Sequence, residues 1–274
     1  MRAALTAMLT IAAPALAAPA ESAFSISGDR SQGGVILGTA PAGTVQLTID
    51  GEPVALAPDR RFIIGFDRDQ AATASLVAEF GEGRAVRETL SIAPRSWRIE
   101  HINVARRPGG ASEEYLRRRE RELARINAAR AADSDSAGWR QRFIWPSTGR
   151  ISGVFGSQRV YRGEPAAYHS GVDVAPGAGA PVVAPADGVV VLAGPPAFSL
   201  EGNLVIIDHG MGLNSAFLHL ATNAVREGQR VRQGQLIGTV GASGRATGPH
   251  LHWSMKWNDA RIDPQLIAGP MPAR

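Results

Sequence analysis

The sequence predicts an all-β chain with a single helical interruption, and three observations carry that prediction. Short apolar runs punctuated by glycine, proline and aspartate recur on both sides of the middle of the chain. One stretch, residues 112–133, changes abruptly to arginine, glutamate and alanine. Beyond residue 145 no long helical period appears. The 274 residues suit roughly two domains of about 100–200 residues each. With 44 % hydrophobic and 20 % charged residues, wholesale disorder is excluded. Cysteine is absent, which removes disulfide scaffolds, thiol nucleophiles and cysteine-ligated metals. The formal charge is +4, and of the 29 basic residues only Lys256 is lysine. Such a surface favours an anionic partner without naming one.

Taken in order, residues 1–17 read as a secretory signal peptide: a basic start at Arg2, an apolar stretch over 3–13 and the small-residue site Ala15-Leu16-Ala17. That stretch is too short for a membrane span, which needs about 20 apolar residues, and nothing later reaches that length. A periplasmic or secreted protein is expected.

Residues 18–95 form the next unit. Val45, Leu47 and Ile49 alternate with polar residues, and Asp50-Gly51 supplies a hairpin turn. Further strands are expected at 61–65, 73–80 and 85–92, the last two separated by Gly81-Glu82-Gly83. Several short strands with regular turns suggest a small β-sandwich of about 70 residues. It holds no histidine and reads as a positioning or binding module.

Residues 96–144 form a linker with a charged helix. Ser112 is placed to cap it, and Glu113 and Glu114 favour the positive end of the helix dipole. Leu116, Leu123 and Ile126 give it a narrow apolar stripe. It is either a spacer, an arm that packs on the next domain, or a solvated helix. If it and the segment 101–107 lie over the next domain, they are placed to cover a cleft there.

Residues 145–274 form a second all-β unit, with apolar runs at 182–183, 189–192, 204–207, 215–220 and 236–240. It contains five of the six histidines. In His250-Leu251-His252, positions i and i+2 of a strand share a face about 7 Å apart. Two such imidazoles can converge on one point, or one can hold a metal while the other reaches its water; spacing alone does not decide. His169 and Asp173 can meet at a metal only if the chain bends between them, and Gly171 permits the bend most easily. Otherwise Asp173 accepts a backbone hydrogen bond in a turn. His219 shares a strand face with Phe217 if alternation holds, and His209 stands at a hairpin turn as a structural residue.

Together these pieces resemble the lysostaphin-type, LytM-like zinc metalloendopeptidases. The resemblance runs over about 120 residues. It covers the glycine-rich start at Gly149, the His-x-x-x-Asp at 169–173, the run 181–190, Phe217-Leu218-His219-Leu220, and the run 241–252 ending in His-Leu-His. It implies a β-sheet catalytic domain in which His169, Asp173 and His252 bind Zn²⁺, with His219 and His250 off the metal as acid and base. It also implies peptide cross-links of bacterial peptidoglycan as substrate. Which histidine is the base stays open. The family often has tyrosine where this chain has Phe217, and Tyr161 and Tyr168 are the nearby hydroxyls. The alternative is a non-hydrolytic LytM-like activator of a cell-wall amidase, against which the filled site argues. A cell-wall or division protein is a candidate partner of the N-terminal module.

Other chemistries fit poorly. No His-Glu-x-x-His and no phosphate-loop Gly-Lys-Ser/Thr are present. Residues 225–238 resemble a strand pair of biotinyl or lipoyl carriers, but Lys256 is not at a corresponding hairpin tip. Aromatic residues are 6 % and do not interleave with arginine, so nucleic acid is not an expected partner.

Overall fold

A computed structural model of the chain describes residues 24–105 and 111–272, and every structural count here is made among these. The leader expected over 1–17 lies outside the described residues, as does part of the 101–107 segment.

The N-terminal strands are β1 (Ser25–Gly28), β2 (Val35–Thr39), β3 (Gln46–Ile49), β4 (Glu52–Pro53), β5 (Arg61–Gly65), β6 (Thr73–Glu79) and β7 (Ala85–Ser91). They form two antiparallel sheets, β1-β2-β5 and β4-β3-β6-β7. The hairpin joining β3 and β4 turns at Asp50 and Gly51, with φ of 51° and 88°. Positive φ at both central residues is what a two-residue turn matching strand twist requires. Apolar side chains from both sheets, among them Leu37, Leu47, Phe62 and Leu76, join one core.

Next come β8 (Ile99–Ile102) and α1 (Glu113–Arg130). Ser112 caps α1, its Oγ accepting the Tyr115 N–H at 3.2 Å. The helix has 18 residues, shorter than the composition suggested, because the chain leaves it to place Ser134 N on Asp208 Oδ2 at 2.8 Å. The expected apolar stripe is mostly not the buried face. Leu116 and Leu123 are 56 % and 41 % exposed, while Ile126 and Glu122 are each only 8 % exposed. The helix therefore docks as an arm held partly by polar bonds.

The C-terminal unit comprises β9 (Arg150–Gly153), β10 (Gln158–Tyr161), β11 (Glu164–Pro165), β12 (Val172–Ala175), β13 (Pro181–Val183), β14 (Gly188–Leu192), β15 (Asn203–Asp208) and β16 (Leu213–Asn223). It continues through β17 (Arg230–Val231), β18 (Leu236–Val240), β19 (Leu251–Trp257), β20 (Ala260–Ile262) and α2 (Pro264–Ala268). The main sheet runs β17-β14-β15-β16-β19-β12-β9. Strand β18 pairs with β13 and β16, and β20 with β19. A small separate sheet sets β10 between β11 and a parallel β8.

Alternation divides the main sheet into two faces. Leu251, Trp253 and Met255 of β19, Phe217 of β16 and Val205 and Ile207 of β15 enter the large core. The other face carries Leu204, Ile206 and Ala216, on which Ile126 and Ala129 of α1 pack. The two halves of the chain share the large core. At their junction, a Cβ on Gly65 would lie 2.8 Å from both Trp257 and Ile262. Arg95 bonds Asp263 at 2.9 Å, and Arg68 donates twice to the Gly156 carbonyl at 3.1 Å.

Candidate metal centre

Three strands and one bend position the histidines. Asp173 on β12 lies directly opposite His252 on β19 in antiparallel register, so their side chains share one face. His169 precedes β12 and is anchored by its backbone, its N–H donating to Ser157 O and its carbonyl accepting from Gly156 N, each at 2.8 Å. The chain bends at Gly171 as the spacing required. Gly171 is needed for close approach: a Cβ there would run into the Trp253 carbonyl and lie 2.9 Å from His252 Nε2.

The result is a triangle of donor atoms. His169 Nε2 lies 3.0 Å from Asp173 Oδ1 and 3.0 Å from His252 Nδ1, and the last two are 2.9 Å apart. These residues are the one group of metal-ligating type found among the described residues. The donor set suits a divalent ion. His169 Nδ1 faces the Val154 carbonyl at 3.1 Å; donating its proton there leaves the Nε2 lone pair directed at the triangle. A carboxylate and two imidazoles contributing one atom each leave a fourth position open, as catalytic metal sites do.

Charge follows the same geometry. Burial opposes ionisation of Asp173, yet hydrogen bonds from His169 and His252 hold its carboxyl well below the usual carboxylate range. Burial pushes His252 down, whereas His169, although buried, is raised by Asp173.

The other two histidines stand beside the triangle. The His219 and His250 rings are 4.9 Å apart, and His219 lies 6.3 Å from the His252 ring. His250 Nε2 is 3.8 Å from Asp173 Oδ1. Each has its Nδ1 on a backbone carbonyl at 2.8 Å, Ser243 O for His219 and Gly248 O for His250. Both rings are thereby oriented with Nε2 unoccupied by a hydrogen bond among the described residues, and burial lowers the pKa of His219.

His219 departs from the expected alternation. It has φ of 64°, and both Phe217 and Leu220 enter the large core, so Phe217 and His219 do not share a face. The left-handed residue inserts one extra step into β16 and turns His219 toward its partners. Its N–H is held by Glu201 O at 2.9 Å. Sequence reasoning missed this support. Ser243 not only receives His219 but bonds Asn203 N and Leu220 O through its hydroxyl, at 2.9 and 2.8 Å. The signal was the Gly-Ala-Ser-Gly run at 241–244.

His209 is structural, as expected. It is fully buried, facing Asp187 O at 2.8 Å and Ser215 Oγ at 2.9 Å. His101 lies on β8, in register with Val160 of β10, and is not part of the donor group. Two cavities flank the site. One of about 630 Å³ is lined by His169 and Asp173 together with Tyr161, Tyr168 and Arg245. The other, about 220 Å³, reaches from His252 and Ser170 to the underside of α1.

A β-sheet domain with a His-Asp-His donor triangle and two oriented free imidazoles defines a metallohydrolase type of site. Residues 167–264 match Peptidase family M23. The chain is 40 % identical over 127 residues to the DD-carboxypeptidase/endopeptidase Mpg of Neisseria meningitidis, covering 45 % of this chain and 28 % of that protein. It is 40 % identical over 116 residues to the peptidoglycan DD-endopeptidase ShyA of Vibrio cholerae, covering 42 % and 26 % respectively. A crystallised Pseudomonas aeruginosa protein assigned to peptidase M23 shares 31 % identity, with a TM-score of 0.66 over 89 % of this chain and 96 % of that one. The chain belongs to peptidase family M23. It spans little more than a quarter of the length of these curated relatives. Likeness to the Pseudomonas structure extends through the N-terminal half, where the sequence resemblance gave none.

Proposed function

We propose that the chain is a zinc-dependent endopeptidase that hydrolyses peptide cross-links of bacterial peptidoglycan. The observation that carries this reading is the arrangement of five side chains: three donors on one point, and two imidazoles beside it with Nε2 free. His169, Asp173 and His252 are the ligands. Zinc bound there supplies a Lewis acid that acidifies water and polarises a peptide carbonyl.

The chain's own residues do the rest. His219 and His250 each keep the Nδ1 proton on a carbonyl, so each Nε2 is available to carry a proton. One Nε2 takes the proton of the attacking water and the other holds a proton for the departing amine, help worth roughly 10²–10⁴-fold. Burial lowers the basicity of His219, which favours the unprotonated form of its Nε2. The larger cavity beside His169 gives an extended peptide room to lie across the site.

The organisation proposed is a leader over 1–17, a module over 18–95 that positions or binds, a linker over 96–144 and the peptidase domain over 145–274, acting in the periplasm or outside the cell. No described helix is long and apolar enough to cross a membrane. The test is digestion of purified sacculi with analysis of the released muropeptides, with and without a chelator. Chelator-sensitive release of cleaved cross-links is expected. Stimulation of an amidase that persists in His169→Ala, with no cleavage by the chain itself, would instead establish the activator role.

A further inference from the structure

The smaller cavity, on the His252 side of the site, has a composition that the proposed hydrolysis does not use. Its floor is the open face of β19, where His252, Ser254 and Lys256 alternate outward while Leu251, Trp253 and Met255 point into the core. Lys256 pairs in register with Asn214 on β16 and with Arg261 on β20, so the three side chains form a row across adjacent strands. Arg130, the last residue of α1, reaches this row, its Nη1 donating to Asn214 Oδ1 at 3.2 Å.

Donors outnumber acceptors here. Arg119 is matched by Glu201, in a two-point bond of 2.6 Å on each arm. Arg130 and Arg261 have no ion pair among the described residues, and the Arg261 guanidinium is engaged by Tyr168, lying 5.5 Å from the centre of its ring. Lys256 meets only Asp259, a fully exposed carboxylate at 3.3 Å, which is a weak partner in water. Asn214 Nδ2 is buried without a hydrogen-bond partner among the described residues. Turning the amide would not help, because its oxygen already serves Arg130. Burial, and then the charge of Arg261, lower the pKa of Arg130 to about 10 against the opposing charge of Glu201. The same crowding acts on Lys256 through burial and Arg130. Arg130, Lys256 and Arg261 all line the cavity, and the one carboxylate among its described lining residues, Glu201, is engaged by Arg119, so these three cations lack a matching anion.

We infer that this cavity is a carboxylate-binding subsite, which takes an acidic group of the substrate peptide against Arg130, Lys256 and Arg261. The assignment rests on the peptidase reading for its substrate, a peptide drawn across the neighbouring donor triangle. Lys256 is four residues from His252 along β19, about 13 Å at strand rise. The carboxylate therefore belongs three to four residues from the bond cleaved. It comes either from a chain terminus or from an acidic side chain.

The test is equilibrium binding to the full chain of fluorescent tetra-alanine probes, checked by mass spectrometry to remain intact. One probe has a free terminal carboxylate, the second a terminal amide, and the third an amide with glutamate as last residue. The free-carboxylate or the glutamate probe should bind at least about tenfold tighter than the plain amide, and which one does identifies the source of the group. The preference should shrink with added salt and disappear in both Arg130→Gln and the more exposed Arg261→Gln. Equal binding of all three probes to a folded wild-type chain would overturn the subsite, as would a preference that survives Arg130→Gln and Arg261→Gln together. Loss of sacculus cleavage with the probe preference intact would instead count against the peptidase reading alone.

Discussion

Glu122 is the fastening of α1 to the catalytic unit, and its removal has a size that can be worked out. The carboxylate accepts from Ser199 N at 2.8 Å, Ser199 Oγ at 2.5 Å, Arg118 Nε at 2.9 Å and Arg119 Nη1 at 3.1 Å. Hydrogen bonds to a charged group are worth about 1.5–3 kcal/mol, but bonds sharing one carboxylate do not add. Arg119 keeps Glu201 and Arg118 reaches solvent, so the loss falls at the low end of that for a broken buried pair. Glu122→Ala should cost about 3 kcal/mol, or about 5 °C in Tm for a chain of this size. Burial works against the Glu122 carboxylate, yet the Ser199 bonds, followed by those of Arg118 and Arg119, hold its pKa down to about 2 from 4.5. This contribution is complete above 4.5 and is lost as the pH falls from there toward 2. Urea unfolding followed by tryptophan fluorescence, across that range, measures both effects. A wild type and Glu122→Ala that agree within about 0.5 kcal/mol at neutral pH would refute the reasoning.

Other consequences are equally concrete. His209 is buried neutral with a pKa lowered to about 4 by burial, so unfolding takes up a proton as the pH drops from 6.5 to 4. Roughly 3 kcal/mol of stability should vanish over that interval and level off below it, measured by denaturant titration. Trp253 is fully buried against Trp145, with its Nε1 lacking a hydrogen-bond partner among the described residues. Trp253→Ala should therefore cost about 3–5 kcal/mol, and Trp253→Phe clearly less, because no hydrogen bond is lost. Gly171→Ala forces a Cβ against His252 and the Trp253 carbonyl, and should lower metal affinity at least about tenfold in a chelator competition while the fold persists. Ser243→Ala loosens the support of His219 and should reduce kcat with bound metal unchanged; an unaltered kcat would remove Ser243 from that role.

How much of this was legible in the sequence depends on how local each signal is. The strand expected at 61–65 has those bounds, and Asp50-Gly51 turns as its residue types demand. Strand 25–28, Ser-Ile-Ser-Gly, carries serine and glycine too freely to stand out, whereas the Val-Ile-Leu start of strand 35–39 is a legible apolar run that the expected strands do not include. Of the α1 stripe Leu116, Leu123 and Ile126, only Ile126 is buried, and it shares the docking face with Ala129 and with Glu122, a charged residue that an apolar pattern does not count. The bend between His169 and Asp173 was readable from reach alone. The meeting of His169 with His252, 83 residues apart, came through family resemblance, since pairing of β12 with β19 leaves no local trace. Strand alternation failed at His219, where one left-handed residue resets the faces, a substitution of geometry that a strand pattern cannot reveal.

Zinc stoichiometry of purified single variants is the most direct test of the donor triangle. One ion per chain is expected in the wild type, in His219→Ala and in His250→Ala, the latter two inactive on sacculi. His169→Ala, Asp173→Ala and His252→Ala should each lose the ion while remaining folded by circular dichroism. A full complement of zinc in any of those three, or its absence from the wild type, would contradict the centre described.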